Sequence, residues 1–254
     1  MPPRDKDSYS IQSVENALDV LEALCEEEDE VRISRLSEKL QMNKTSVFRL
    51  LATFESRGYV ERKKETGKYK LGLSAYEMGQ KLISRMGLLK KSRPAMEKLS
   101  RACDEAAYIV VQRGQEVLFL DMADTAQQVK IISLLGKRYP LASNAAGQIF
   151  LSYGQLTHPH PGSIEGSSLP QAEQIRQNRY AGETGGLGEG ICCLATPLFG
   201  TGDILSGCLC LIGPAYRMPP ERIRDELLPR LLETGDIISS KLGCHNPGFS
   251  RRHI

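Results

Sequence analysis

Residues 34–60 read SRLSEKLQMNKTSVFRLLATFESRGYV, and their periodicity sets the fold of the first third of the chain. Ile33, Leu36 and Leu40 recur at helical spacing and predict a short helix over Ser34–Leu40. Gln41, Met42 and Asn43 then make a connection of the length found between two helices set at a steep angle. A second helix is predicted over Lys44–Arg57, with Asn43 as its cap and Gly58 in the left-handed position that ends it. Val47, Leu50, Leu51 and Phe54 share its apolar face, while Lys44, Thr45, Ser46, Arg49, Thr53 and Arg57 share the other, with Glu55 as its main acidic interruption.

Upstream, Val14, Leu18, Leu21 and Leu24 or Cys25 form one stripe of a helix over Ser13–Cys25, with Ser13 as the expected cap. The acidic run Glu26–Glu30 breaks that stripe and reads as a solvated loop. Downstream of Gly58 the period changes to alternation. Tyr59-Val60 and Tyr69-Lys70-Leu71 predict two strands joined across Lys64–Gly67, with Gly67 in the turn. Helices follow over Ser74–Met86 and Leu89–Cys103, the second carrying Pro94, which requires a start or a kink there.

Charge is distributed in step with these elements. Residues 1–43 hold 5 Lys/Arg against 11 Asp/Glu, residues 44–91 hold 12 against 4, and the remainder holds 16 of each. The basic block begins where the second helix of the helix–turn–helix begins, which is the footprint expected of phosphate contacts. Such a helix lies in the major groove while its partner braces the backbone. The candidate DNA-contacting residues are Lys44, Thr45, Ser46 and Arg49 on that helix, with Arg32 before it. On the hairpin they are Arg62, Lys63, Lys64 and Lys68, which would add affinity without base information.

From Ala106 the pattern is β-rich. Tyr108–Val111, Val117–Leu120, Val129–Ile132, Ile191–Phe199 and Leu205–Ile212 read as strands, and Gln112–Gln115 as a hairpin turn. Helices are predicted over Ala145–Tyr153, Gln171–Arg179 and Pro220–Leu242. Paired strands with helices around them describe an α+β domain rather than a doubly wound one.

The 254 residues carry 41% hydrophobic and 25% charged side chains, a globular composition. No run of about 18 apolar residues exists, and Met1–Asp7 is charged and proline-bearing, so a cytoplasmic protein without membrane contact is expected. Seven cysteines without a C-x-x-C pair read as buried apolar residues in a reducing compartment. His158 and His160 sit in a proline- and glycine-rich loop, and neither a metal site nor a cofactor is expected. No G-x-S-x-G elbow occurs, and Gly186–Gly190 precedes a strand rather than opening a helix, so no catalysis is expected.

The order and spacing of several segments resemble the IclR family of bacterial transcription regulators. They are Ser13-Val14-Glu15-Asn16-Ala17-Leu18, Leu50-Leu51, Gly58-Tyr59-Val60 and Gly67-Lys68-Tyr69-Lys70-Leu71-Gly72. Further on come Gly136-Lys137-Arg138-Tyr139-Pro140-Leu141, Ala145-Ala146-Gly147 and Gly190-Ile191-Cys192-Cys193-Leu194-Ala195-Thr196-Pro197. The resemblance implies a winged helix-turn-helix over residues 8–72, a linker helix over 73–90 and a GAF-like effector-binding domain over 91–245. It implies a homodimer or homotetramer acting on double-stranded operator DNA in answer to a small carboxylic acid.

The effector residues carried over by resemblance are Ala145, Ala146, Gly147, Glu183, Cys193, Cys210 and Ile212. A helix starting at Ala145 offers free backbone N–H groups to a carboxylate, and Asn144 either caps that helix or points into the pocket. The small residues serve equally well for packing, and the cysteines equally well as core. Cys210 and Ile212 stand where members that bind small acids carry serines, which points to a more apolar, aromatic acid. The other reading is a small-molecule enzyme or sensor whose N-terminal unit serves only oligomerisation.

Overall fold

The computed structural model describes residues 11–27, 29–157 and 169–244; the stretch with His158 and His160 lies outside these. The chain divides into two compact units, 1–85 and 86–254.

The first unit contains α1 (Gln12–Cys25), α2 (Ile33–Lys39), α3 (Lys44–Ser56), the antiparallel pair β1 (Val60–Arg62) and β2 (Tyr69–Leu71), and α4 (Leu73–Arg85). Its core is Val20, Ala23, Leu24, Val31, Leu36, Val47, Leu51, Val60 and Tyr69. Val31 exchanges two backbone hydrogen bonds of 2.8 Å with Tyr69, which ties the approach to α2 onto the hairpin. Gln41, at φ +52°, makes the tight turn between α2 and α3, and the Ser37 hydroxyl donates to the Met42 carbonyl at 2.5 Å to hold it.

Two expectations about α1 are corrected. The helix starts at Gln12, with the Ile11 carbonyl accepting from Val14 and Glu15, so Ser13 is not its cap. The buried side is Val20, Ala23 and Leu24, whereas Val14 and Leu18 are half exposed. The helix is apolar over two stripes, and spacing alone does not say which one meets the core. The acidic run is not merely solvated either. Glu27 accepts from Arg35 at 3.0 Å and Lys39 at 3.2 Å, and Glu30 pairs with Lys63 at 2.8 Å.

The second unit opens with α5 (Gly87–Cys103), which carries Pro94 inside it rather than starting there. A six-stranded antiparallel sheet follows in the order β5-β4-β3-β8-β7-β6. Its strands are β3 (Ala106–Arg113), β4 (Glu116–Ala123), β5 (Arg138–Pro140), β6 (Ala181–Thr184), β7 (Ile191–Phe199) and β8 (Leu205–Pro214). Helices α6 (Ala145–Thr157) and α7 (Leu169–Asn178) lie between β5 and β6 in sequence. After β8 come α8 (Pro220–Arg222), a π-helical stretch over Ile223–Leu227 and α9 (Leu228–Leu242). The wide turn precedes Pro229, whose ring and missing N–H do not fit a regular helix.

Alternation sends the strand side chains to two cores. Tyr108, Val110, Cys193, Cys208, Cys210 and Ile212 pack with Ile149 and Phe150 of α6. Ile109, Leu194, Leu209 and Leu211 pack with Met96 and Leu99 of α5 and Leu231 and Ile238 of α9. Behind the start of β3, fully buried Glu105 accepts from Arg217 at 2.6 and 2.8 Å and from Arg222 at 3.2 Å, so its charge is neutralised where it is desolvated. The strand expected over Val129–Ile132 is not formed. The edge of β4 pairs instead with β5, over Glu116–Leu118 and Arg138–Pro140.

Gly72 is a point of close approach in the first unit, since a Cβ there would meet the Gly58 carbonyl oxygen at 2.3 Å. Gly72→Ala should therefore destabilise this unit by about 1–3 kcal/mol, as overpacking does. Native-state hydrogen exchange on the full chain checks this: amides of α1–α3 should exchange faster and those of β3 and β4 unchanged.

Candidate functional site

Asn43 initiates α3, its side-chain oxygen accepting from the Ser46 N–H at 2.8 Å. Asn, unlike an apolar residue, can supply that acceptor while its own backbone stays extended. Val47 and Leu51 are fully buried beneath the helix. Lys44, Thr45 and Arg49 are exposed on the far side, and Ser46 is half buried. Phe48, on the flank between that far side and the buried stripe, is 47% exposed. In projection it lies one turn from Thr45 and Ala52 but also one turn before buried Leu51, at the margin of the core stripe.

The wing residues differ among themselves. Lys63 is held by Glu30, and Arg62 lies over the Tyr69 ring with its guanidinium carbon 5.7 Å from the centroid. The Lys63 ammonium is raised above its ordinary pKa by the Glu30 hydrogen bond. Lys64 is exposed and Lys68 half buried; Arg32 is exposed just ahead of α2. Among the described residues no ion pair engages Arg32, Lys44, Arg49, Lys64 or Lys68. Lys44 and Arg49 of the helix thus stay unpaired, while the wing has Lys63 and Lys70 neutralised by Glu30 and Glu61.

In the second unit the seven residues carried over by resemblance converge on the start of α6. Glu183 pairs in register with Cys193, and Cys193 with Ile212, across β6, β7 and β8. Cys210 lies one row along, opposite Ala195 and Tyr108, with its sulfur 3.9 Å from that of Cys208. Ala145, Ala146, Cys193 and Cys210 have no exposed surface, and Ile212 has almost none. Gly147 is small for a local reason: a Cβ there would lie 1.9 Å from the Leu141 carbonyl oxygen. Asn144 caps, its oxygen accepting from the Gly147 N–H at 2.9 Å while its amide donates to the Pro140 carbonyl at 3.0 Å.

The free N–H groups of α6 are met by the protein itself. Gly147 is served by the Asn144 side chain and Gln148 by the Asn144 carbonyl. The Ala146 N–H reaches the Cys193 sulfur, and the Ala145 N–H favours the charged form of Glu183. The Glu183 carboxylate also accepts from the Gly186 N–H at 2.6 Å, while its Oε1 is buried without a hydrogen-bond partner among the described residues. Burial raises the Glu183 carboxyl above the usual glutamate range, against the pull of those two amides. The neighbouring Cys210 thiol and burial push Cys193 well above the ordinary thiol range, and burial does the same to Cys210. Cys192, on the opposite sheet face, is pushed up to about 11 by burial. All three thiols are protonated at neutral pH, and those of Cys193 and Cys210 leave the α6 side of the sheet neutral.

Residues 13–64 match the IclR helix-turn-helix domain. Residues 80–160 match the bacterial transcriptional regulator IclR C-terminal domain. The HTH-type transcriptional regulator KdgR of Escherichia coli (strain K12) is 28% identical over 260 residues, covering 96% of this chain and 98% of KdgR. An IclR transcriptional regulator from Alicyclobacillus acidocaldarius has the same fold, with a TM-score of 0.77 at 21% identity over 92% of this chain and 100% of that one. So has an IclR homolog complexed with 4-hydroxybenzoate from Microbacterium hydrocarbonoxydans, with a TM-score of 0.74 at 19% identity over 91% of this chain and 98% of that one. Two domain matches in this order on one chain, with a relative aligned nearly end to end, mean that the protein belongs to the IclR family of bacterial transcription regulators.

Proposed function

We propose that this transcription regulator grips double-stranded operator DNA through α3 and the wing, as a homodimer, and changes its hold when a small carboxylic acid enters at the start of α6. The observation that carries the DNA reading is the outward face of α3, where Lys44, Thr45 and Arg49 stand free of carboxylates on a helix braced from below by Val47 and Leu51. An N-terminal unit serving oligomerisation alone has no need of such a face. Arg49 suits a guanine edge, Lys44 and Thr45 suit phosphate or base, and the wing cations suit the backbone.

The case for a second copy rests on α4. Among the described residues none of α4 is buried, and Leu73, Tyr76, Met78, Leu82 and Ile83 are all exposed. A 13-residue helix with that composition gains little from water and much from an apolar partner. A symmetric dimer would also match the two-fold symmetry of a palindromic operator.

The effector reading rests on the convergence of Ala145, Ala146, Gly147, Glu183, Cys193, Cys210 and Ile212 around one helix start. Its walls are apolar and its thiols neutral, which suits an aromatic acid better than a small keto acid. The 4-hydroxybenzoate carried by the Microbacterium homolog is of that class. Glu183 holds the place at the helix start that an effector carboxylate would take, so the two carboxylates compete for the same N–H donors.

Three outcomes are expected. Arg49→Ala should lose about tenfold or more on a selected operator and little on random duplex, whereas Lys63→Ala, already paired to Glu30, should lose a few-fold at most on both. Fluorescence anisotropy across a salt series measures both, and absence of salt-sensitive binding to any duplex would undo the DNA reading. Leu82→Glu should shift the chain towards monomer in sedimentation velocity, because a charge on that face has no partner to neutralise it. For the effector, protonation of Glu183 removes a competing negative charge. Binding of 4-hydroxybenzoate by calorimetry should tighten as pH falls from neutrality towards the carboxylate range. Glu183→Gln should flatten that dependence, and tighter binding of pyruvate than of the aromatic acid would sink the assignment of ligand class.

A further inference from the structure

Phe48 is the only phenylalanine exposed among the described residues, and it is exposed on the face of α3 that also carries Lys44, Thr45 and Arg49. Phe54 of the same helix is partly buried against the core, and Val47 and Leu51 fill the space beneath it, so the core of this unit is built without the Phe48 ring. A ring left in water between free cations is an unfavourable arrangement unless something covers it. Of the base edges presented in a major groove, thymine alone offers an apolar group, its 5-methyl. Cations flanking the ring would seat it there by holding the phosphates on either side, and the neighbouring Thr45 and Ala52 are small enough to leave the ring the most protruding apolar group of the face.

We propose that Phe48 is a specificity-determining residue that reads thymine through its 5-methyl group, beside the base contacted by Arg49. This rests on the DNA reading given above and adds to it a base identity and the atom recognised. The flanking cations favour DNA over an apolar protein partner, because burying the ring against such a partner would desolvate Lys44 and Arg49, which no ion pair engages among the described residues.

The experiment uses the full chain and an operator obtained by selection from random duplexes. Each thymine is replaced in turn by deoxyuridine, which removes only the methyl group. Wild type should lose about fourfold at one thymine per half-site, the worth of one buried methyl-sized group. Phe48→Ala should bind the thymine and deoxyuridine duplexes equally at that position while keeping its salt dependence. Phe48→Leu, which retains an apolar tip, should restore part of the difference. Insensitivity of wild type to every replacement overturns the proposal, and so does a Phe48→Ala variant that still distinguishes thymine from deoxyuridine. A change of oligomeric state in Phe48→Ala with methyl discrimination intact would likewise overturn it, assigning the ring to a protein contact. Failure of wild type to select any duplex would instead strike the DNA reading itself.

Discussion

The central strands β3, β7 and β8 are buried along most of their length on both faces, and that two-sided burial governs the rest of the C-terminal unit. An antiparallel sheet often leaves one face to water. Here α6 covers one face and α5 with α9 the other, so the strands read as nearly continuous apolar runs. Close packing then demands small residues where backbone approaches backbone. A Cβ on Gly207 of β8 would meet the Val110 carbonyl of β3 at 3.0 Å, and one on Gly235 of α9 would meet the Thr196 side chain of β7 at 2.8 Å. The same demand explains Gly147 against Leu141, which places the start of α6 directly over the rows holding Cys193 and Cys210.

Every helix begins with backbone N–H groups that its own ladder does not satisfy, and this chain resolves that constraint in two ways. Both α3 and α6 open on asparagine, whose side chain accepts from the amide three residues on. At α3 the surroundings are solvent and cations, an arrangement open to phosphate or a base edge. At α6 the surroundings are core, and the remaining donors are taken by Glu183 and the Cys193 sulfur. One helix start is therefore presented to the outside, and the other is held closed by a carboxylate that burial makes easier to protonate.

Charge follows a similar division of labour. The acidic run after α1 pairs with Arg35, Lys39 and Lys63. That neutralisation leaves Arg32, the cations of α3 and Lys64 among the exposed positive charges of the first unit that no ion pair engages. Such surface pairs add little stability, but they decide which cations remain available. Glu105 is the opposite case: fully buried, it is worth keeping only because Arg217 and Arg222 reach it, and Arg222 also ties it to the Cys103 carbonyl at the end of α5.

Local periodicity and turn chemistry determined much of this protein. Helices α2 and α3, the Asn43 cap, the Gly58 and Gly67 turns, the β3–β4 hairpin and strands β7 and β8 were legible because each is specified by residues within a few positions of one another. The charge step at Lys44 was legible for the same reason. Only the tertiary structure decided which stripe of α1 faces inward, that the run over Val129–Ile132 stays out of the sheet, and that short β5 and β6 form its edges. It alone brought Glu183, Cys193 and Ile212 into one row from three strands, showed that Glu183 sits against the start of α6, and left the Phe48 ring outside. Those outcomes depend on which surfaces meet across long stretches of chain, and partners distant in sequence leave no period or spacing to read.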